Sequence, residues 1–199
     1  MRLLTSLILA AGLLSPVHAE GLHRTSGSQR PSVAATQSVE FLGKAFTLKF
    51  KATDKPVRVY EYFPADQTPD DWLELVEFQV YPARATGNEP VDYAKRLVAE
   101  FKRRYPYMQF AMYADERSGA AMLDFFFPSS TRYREGKAYI EFNAFKFFRA
   151  AGGGVISFHY AKNVESVSKA RPMNLVAAEL RETRQEVEPA LTRFEPYRP

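Results

Sequence analysis

Three aromatic stretches follow one another along the chain: AAMLDFFFP (120–128), KAYIEFNAFKFF (137–148) and GVISFHYAK (154–162). Phe, Tyr, Ile and Val dominate them, and these residue types suit a pleated, largely buried surface. A polar loop at residues 129–136 and a glycine turn at residues 152–154 separate the stretches. We therefore predict three consecutive antiparallel strands at the centre of a sheet.

Further elements lie on both sides of this centre. Short runs of alternating or continuous apolar residues predict strands at 46–50, 57–63, 75–81 and 109–114, the first two as a hairpin. An apolar stripe at helical spacing predicts a helix over 90–105, and a second helix is expected over 174–188, weakened or ended by Pro189. The run TPDD (68–71) predicts a short helix before Trp72. The fold class is therefore α+β, with a single, mainly antiparallel sheet of about six to seven strands and helices packed on it.

This order of elements, with the strand-proline-acid-tryptophan run from Tyr60 to Trp72, resembles the PsbP-like α/β/α sandwich proteins. The resemblance covers roughly residues 41–194. It implies a sandwich fold and a group that includes small exported bacterial proteins. It brings no catalytic or ligand motif, so it implies no functional residue.

The first nineteen residues have the layout of a secretory signal peptide. Arg2 precedes the apolar run 3–14, and Val17-His18-Ala19 is a small-x-small cleavage site. We expect cleavage after Ala19 and a periplasmic or secreted mature protein without a transmembrane segment; an uncleaved anchor is the alternative. We further expect a flexible lead over 20–38, one α+β domain over 39–195 and a frayed end over 196–199.

Composition excludes several kinds of chemistry. The chain has no cysteine, which removes disulfides, thiol nucleophiles, zinc-thiolate sites and a lipidated cysteine. Its formal charge of +4 is too small to indicate a dedicated nucleic-acid-binding protein. Of three histidines, only His159 lies in the predicted domain, and no acidic loop has calcium spacing. We therefore predict no metal and no cofactor.

Strand alternation places several polar residues on one face of the central strands. Glu141 and Asn143 share a face of one strand, and Ser157 and His159 share a face of the next. Asp124 of the preceding strand is a further candidate for this strip. A serine, a histidine and an acid are the components of a hydrolase, but neighbours on one strand face are roughly 6 to 7 Å apart at the backbone. We interpret the strip as structural and predict no catalytic residue.

Three other features are candidates for binding. Trp72, the only tryptophan, is suited to line a groove or to seal an edge of the core. Arg132 and Arg134 occupy a loop between two strands, where binding residues are common. Lys95, Lys102 and Arg103 lie on the outer turns of the middle helix, which predicts either a solvated face or a docking patch for an anionic surface.

These observations favour a small exported, non-catalytic α/β module that binds another envelope protein or an anionic surface. A secreted hydrolase that uses Ser157 and His159 is one alternative. An immunity or chaperone-like protein for another exported protein is a second alternative, which the sequence does not separate from the first hypothesis.

Overall fold

Aromatic and β-branched residues are frequent in the strands of this protein. The computed structural model describes residues 37–53, 56–127, 133–134, 137–168 and 170–195. Its strands are β1 (Ser38–Phe41), β2 (Lys44–Ala52), β3 (Arg58–Phe63), β4 (Glu74–Tyr81), β5 (Phe110–Asp115), β6 (Ala120–Phe127), β7 (Tyr133–Arg134), β8 (Lys137–Arg149) and β9 (Val155–Glu165). Its helices are α1 (Ala83–Thr86), α2 (Pro90–Arg104) and α3 (Met173–Arg193).

The strands form one open sheet in the order β1-β2-β3-β4-β9-β8-β6-β5, and every neighbouring pair is antiparallel. The predicted α+β class and antiparallel sheet are confirmed. The three aromatic stretches become β6, β8 and β9, which are neighbours in the sheet; β4 and β9 are its two middle strands, and β6 lies next to the edge strand β5. β9 also pairs with β4 along eight residues, and this pairing joins the strands β5–β9 to the strands β1–β4 in one sheet.

The predicted count of six to seven strands is too low for the described part of the chain, which has eight strands in the sheet and the two-residue β7 beside β8. The additional edge strand, β1, begins at Ser38, a residue that composition alone assigned to the lead. It turns back into β2 through Leu42 and Gly43, both at positive φ (53° and 69°). Two successive positive φ values fit the tight turns that join antiparallel strands. Short strands of this kind have too few residues for a periodic signal.

Two helices cover opposite faces of the sheet. Odd-numbered residues of β8 pair with odd-numbered residues of β9, so they share one face, and α2 packs on it through Leu97 and Phe101. Phe101 lies 4.8 Å from Phe125 between ring centroids. Even-numbered residues form the other face, where α3 buries Val187 and Leu191 against Phe158 and its neighbours. The described domain therefore has three layers, helix on sheet on helix.

Two expected helix boundaries are wrong. Residues 68–71 form a tight turn instead of a helix start, because Thr68 and Asp71 exchange backbone hydrogen bonds across Pro69 and Asp70. Proline and aspartate suit the middle of a β-turn as well as the first turn of a helix. At the other end, α3 continues through Pro189 to Arg193. Burial of Leu191 and stacking of Phe194 on Phe158, at 3.8 Å between centroids, favour this continuation.

No helix in the described ranges has the length and apolar character needed to cross a membrane.

Candidate functional site

Buried polar side chains lie on the α2 face of the sheet, in its central strands. Glu77 is the direct cross-strand partner of His159, and Gln79 is the partner of Ser157. On the next strand, Asn143 lies diagonally from His159, whose direct partner is Phe145. All of the polar residues named here are at most 4% exposed. Strand alternation thus brings an acid, a histidine and two amides together in the interior.

Hydrogen bonds join five of these side chains into a chain that we call the polar network: Tyr81, Gln79, Glu77, His159 and Asn143. The Tyr81 hydroxyl donates to Gln79 Oε1, and Gln79 Nε2 donates to Glu77 Oε1. His159 Nδ1 lies 3.3 Å from Glu77 Oε1, and Nε2 lies 2.9 Å from Asn143 Oδ1. Because an amide oxygen only accepts, Nε2 carries the ring proton and Nδ1 is left to accept.

Burial sets the charge state of the polar network. Loss of water raises the pKa of Glu77 to about 7 and lowers the pKa of His159 to about 4. Between these values both groups are neutral, and the Glu77 carboxyl proton can be donated to His159 Nδ1. The neutral imidazole also stacks on Phe145, with 4.0 Å between centroids and 1° between planes. This arrangement is a satisfied pair of neutral groups, typical of a buried structural element.

The two shifts predict opposite pH dependences of stability. Between about pH 4.5 and 7 the folded chain keeps the Glu77 proton that the unfolded chain loses, so Glu77 lowers the free energy of unfolding as pH rises. Between about pH 4 and 6.5 the unfolded chain binds a His159 proton that the folded chain lacks, so His159 raises that free energy as pH rises. We expect the two contributions largely to cancel in the parent protein.

Single substitutions should separate these contributions in denaturant unfolding measured from pH 4 to 7.5. The stability of Glu77→Gln relative to the parent should rise with pH, by on the order of 2 kcal/mol across the window. The relative stability of His159→Gln should fall by a similar amount. Glu116→Gln, at an exposed position, is the control for loss of one carboxylate. If the stability of both variants relative to the parent does not change with pH, the shifted pKa values of Glu77 and His159 are contradicted.

Ser157 is close to the polar network in sequence but is not joined to His159. Its Oγ is buried and makes no hydrogen bond with His159. Both ring nitrogens of His159 already face Glu77 and Asn143. A serine nucleophile needs its base within hydrogen-bond reach, and this geometry does not provide it. The described residues therefore do not assemble the serine and histidine into a hydrolytic site.

Two acids proposed for the polar strip have different positions. Glu141 lies on the same face as the network and is buried, and its backbone oxygen accepts a hydrogen bond from Asn143 Nδ2 at 3.3 Å. Asp124 lies on the opposite face, because its direct partner on β8 is Ala144. There it forms an ion pair with Arg184 of α3, whose guanidinium group lies 5.0 Å from the Phe126 ring. The proposed place of Asp124 in the strip is thus wrong, since its even-numbered position points it to α3.

Trp72 is 4% exposed and packs in a small cluster with Phe63, Leu75 and Ala161. Its backbone oxygen accepts a hydrogen bond from Asn163 Nδ2 at 3.1 Å. This position corresponds to the core-sealing alternative for Trp72. Arg134 belongs to β7, whose backbone alone is described, and Arg132 lies outside the described residues.

Lys95, Lys102 and Arg103 form an exposed group on α2 that we call the cationic surface. Lys95 and Lys102 are seven residues apart, so they lie two turns apart on the same side of the helix. Lys102 Nζ is 4.9 Å from the centre of the Phe110 ring of β5, which shows that this side of α2 faces the edge of the sheet. Arg103 forms an ion pair with Glu100. Cations at the end of a helix are also favoured by the helix dipole.

Exposed aromatic side chains accompany the cationic surface where the chain leaves α2 and enters β5. Tyr107 is 94% exposed, and Tyr105 is 39% exposed with its ring 5.5 Å from Phe127. Tyr113 of β5 is 48% exposed but lies on the α3 face of the sheet, opposite the cationic surface, because it pairs with Met122. Tyrosine and arginine are enriched in protein interfaces because they combine apolar area with hydrogen-bonding groups. This end of the domain therefore has the composition of a binding surface.

Two shallow depressions lie beside α3. One, of about 650 Å³, is lined mainly by Arg171, Leu175, Glu179 and Glu182. The other, of about 450 Å³, lies between the β1–β2 turn and the end of α3. Neither is lined by a residue of the polar network, and no cluster of potential metal ligands occurs in the described ranges.

A family model matches residues 33–195, which is most of the chain. The chain belongs to this uncharacterised family. No curated protein matches the sequence. The matched span contains both the polar network and the cationic surface.

The sequence analysis missed Glu77, Gln79 and Tyr81. The signal was present in the run LVEFQVY (75–81), where two polar residues interrupt an otherwise apolar strand at alternate positions. Such residues lie on one face, and a strand that is covered on both faces must bury them. Their partners on β9 are about eighty residues later in the chain, so only the pairing of β4 with β9 identifies the network.

Proposed function

We propose that this protein is a small exported, non-catalytic binding module of the bacterial periplasm or envelope, and that it holds an acidic partner protein through the cationic surface of α2. The observation that carries the proposal is the exposure of Lys95, Lys102 and Arg103 beside exposed tyrosines at one end of the domain. The signal-like layout of the first nineteen residues supports export. The PsbP-like resemblance is part of the same proposal, since it connects this element order with small exported proteins.

Electrostatic complementarity supports an acidic partner. Positive groups on an exposed surface attract anionic partners over roughly a Debye length, about 10 Å at 0.1 M salt. Such contacts contribute mainly to the rate of association and to the choice of partner. The buried polar network, in contrast, is satisfied within the domain and is not available to a ligand in its folded arrangement. The outer end of α2 therefore supports a binding function better than the interior does.

The proposal is tested with the triple variant Lys95→Gln, Lys102→Gln and Arg103→Gln. Exposed charges contribute little to stability, so the variant should fold like the parent. Its affinity for poly-glutamate at low salt should fall by at least about tenfold. A tenfold loss of affinity corresponds to about 1.4 kcal/mol of binding free energy, which is a modest contribution from each of the three removed charges. The matched control removes three exposed cations elsewhere: Lys51→Gln, Arg181→Gln and Arg193→Gln.

Fluorescence anisotropy across a salt series measures these affinities, and vesicles of phosphatidylglycerol and phosphatidylcholine form a second arm. The proposal expects the parent and the control to bind poly-glutamate and to lose binding as salt increases. Equal affinity of the parent and the α2 variant would contradict it. If the parent binds only the anionic vesicles, the partner of the cationic surface is a membrane surface instead of an acidic protein.

A further inference from the structure

The free edge of β5 lacks the usual protection against strand pairing. β5 is the last strand in the sheet order and pairs only with β6, in an uninterrupted register over six residues. Its sequence, FAMYAD, contains no proline and no lysine, its one charged residue is Asp115 at the end of the strand, and the register shows no bulge. Natural edge strands are commonly protected by such features or by being very short. The opposite edge, β1, has only four residues and carries Glu40.

A six-residue edge presents about three backbone N–H and three C=O groups on its open side. None of the described strands covers this side of β5. The strand is partly exposed along its whole length, and Tyr113 and Ala114 are the most exposed positions. An added strand would therefore gain backbone hydrogen bonds and contact with aromatic side chains, as in recognition by β-strand addition.

The charges around this edge favour one kind of added strand. On the α2 face, Lys102 contacts Phe110, and Lys95 lies on the same side of the helix. An acidic segment would place its carboxylates near these lysines. Alternate residues of an added strand face α2, so acidic residues at every second position fit best.

We infer that β5 receives an extended acidic segment of another polypeptide as an additional strand of the sheet, with alternate carboxylates facing Lys95 and Lys102. This inference rests on the proposed function, because it specifies how the acidic partner is held. It adds a requirement that charge alone does not impose, namely backbone hydrogen bonds to the edge of β5.

Two peptides with the same side chains test this requirement. The first is a ten-residue peptide that alternates valine with glutamate. The second has the same sequence with N-methyl groups on successive central backbone nitrogens, so that neither of its edges can pair with a strand. The full mature chain should bind the first peptide at least about tenfold more tightly than the second at low salt. Hydrogen exchange of the amides in residues 110–115 should slow when the first peptide is added.

Each other result has a defined meaning. Equal binding of both peptides, weakened in the α2 triple variant, would overturn strand addition and leave charge-based docking in place. Absence of binding by either peptide would overturn the inference, and the poly-glutamate measurement would decide the proposed function separately. Concentration-dependent dimers in sedimentation experiments, with slow exchange in residues 110–115 before peptide is added, would assign the edge to a second copy instead.

Discussion

Replacing Phe158 with alanine should lower the free energy of unfolding by about 3–5 kcal/mol, the usual range for truncating a buried phenylalanine. Phe158 is fully buried in β9, at the centre of the face that α3 covers. Its ring contacts three others, Phe41 at 5.0 Å, Phe78 at 5.3 Å and Phe194 at 3.8 Å between centroids. These rings come from β1, β4 and the end of α3, so the substitution leaves a cavity where distant parts of the chain meet.

Urea unfolding of the protein, followed by circular dichroism, measures this effect. Tyr107→Ala is the control, because the 94% exposed ring contributes little buried area, and its effect should stay within about 0.5 kcal/mol. Since small domains are stable by only about 5–15 kcal/mol, the Phe158 variant should lose a large part of the total. A loss below about 1 kcal/mol would show that this ring is not at the core.

The second large effect is expected at the glycine turn that joins β8 and β9. Gly154 has φ +95°, a conformation that residues with a side chain rarely adopt. An added Cβ would overlap the backbone oxygen of Tyr81 and lie 2.8 Å from the backbone nitrogen of Ala83. Gly154→Ala should therefore cost about 3 kcal/mol through backbone strain and overpacking. It should also disturb the hydrogen bond of 2.9 Å from Gly154 N to Asn88 Oδ1.

Gly152, two residues earlier, is a matched control in the same turn. No atom lies within 4 Å of a Cβ built at Gly152, and its φ is outside the positive region. Gly152→Ala should stay within about 1 kcal/mol of the parent. Thermal or urea unfolding of both variants is the measurement, and equal losses would mean that the close approach of β4 to Gly154 does not exist in solution.

Local sequence was sufficient for the strands with the strongest patterns. The alternation and aromatic content of residues 120–162 predicted β6, β8 and β9, and the apolar stripe predicted α2 to within one residue of its end. Short elements were less predictable. β1 and the turn at residues 68–71 have only four residues each, and the same residues suit more than one local structure.

The candidate sites divide in a similar way. The exposed cations of α2 were predictable, because a helical stripe of apolar residues assigns the remaining positions to the outer side. The polar network was only half predictable. Asn143 and His159 follow from alternation in neighbouring strands, but Glu77, Gln79 and Tyr81 come from β4, whose pairing with β9 is a long-range contact. The free edge of β5 likewise appears only when the strand order is known.

By itself, the sequence determined the α+β class, the central aromatic strands and the exposed charge of α2, because periodicity within ten to twenty residues specifies which side of an element is apolar. Only the tertiary structure decided which strands pair, that Asp124 contacts Arg184 instead of His159, and that burial raises the pKa of Glu77 beside His159. Those outcomes depend on contacts between residues about sixty to eighty positions apart and on the loss of water that follows. Neither is encoded in any short stretch of the chain.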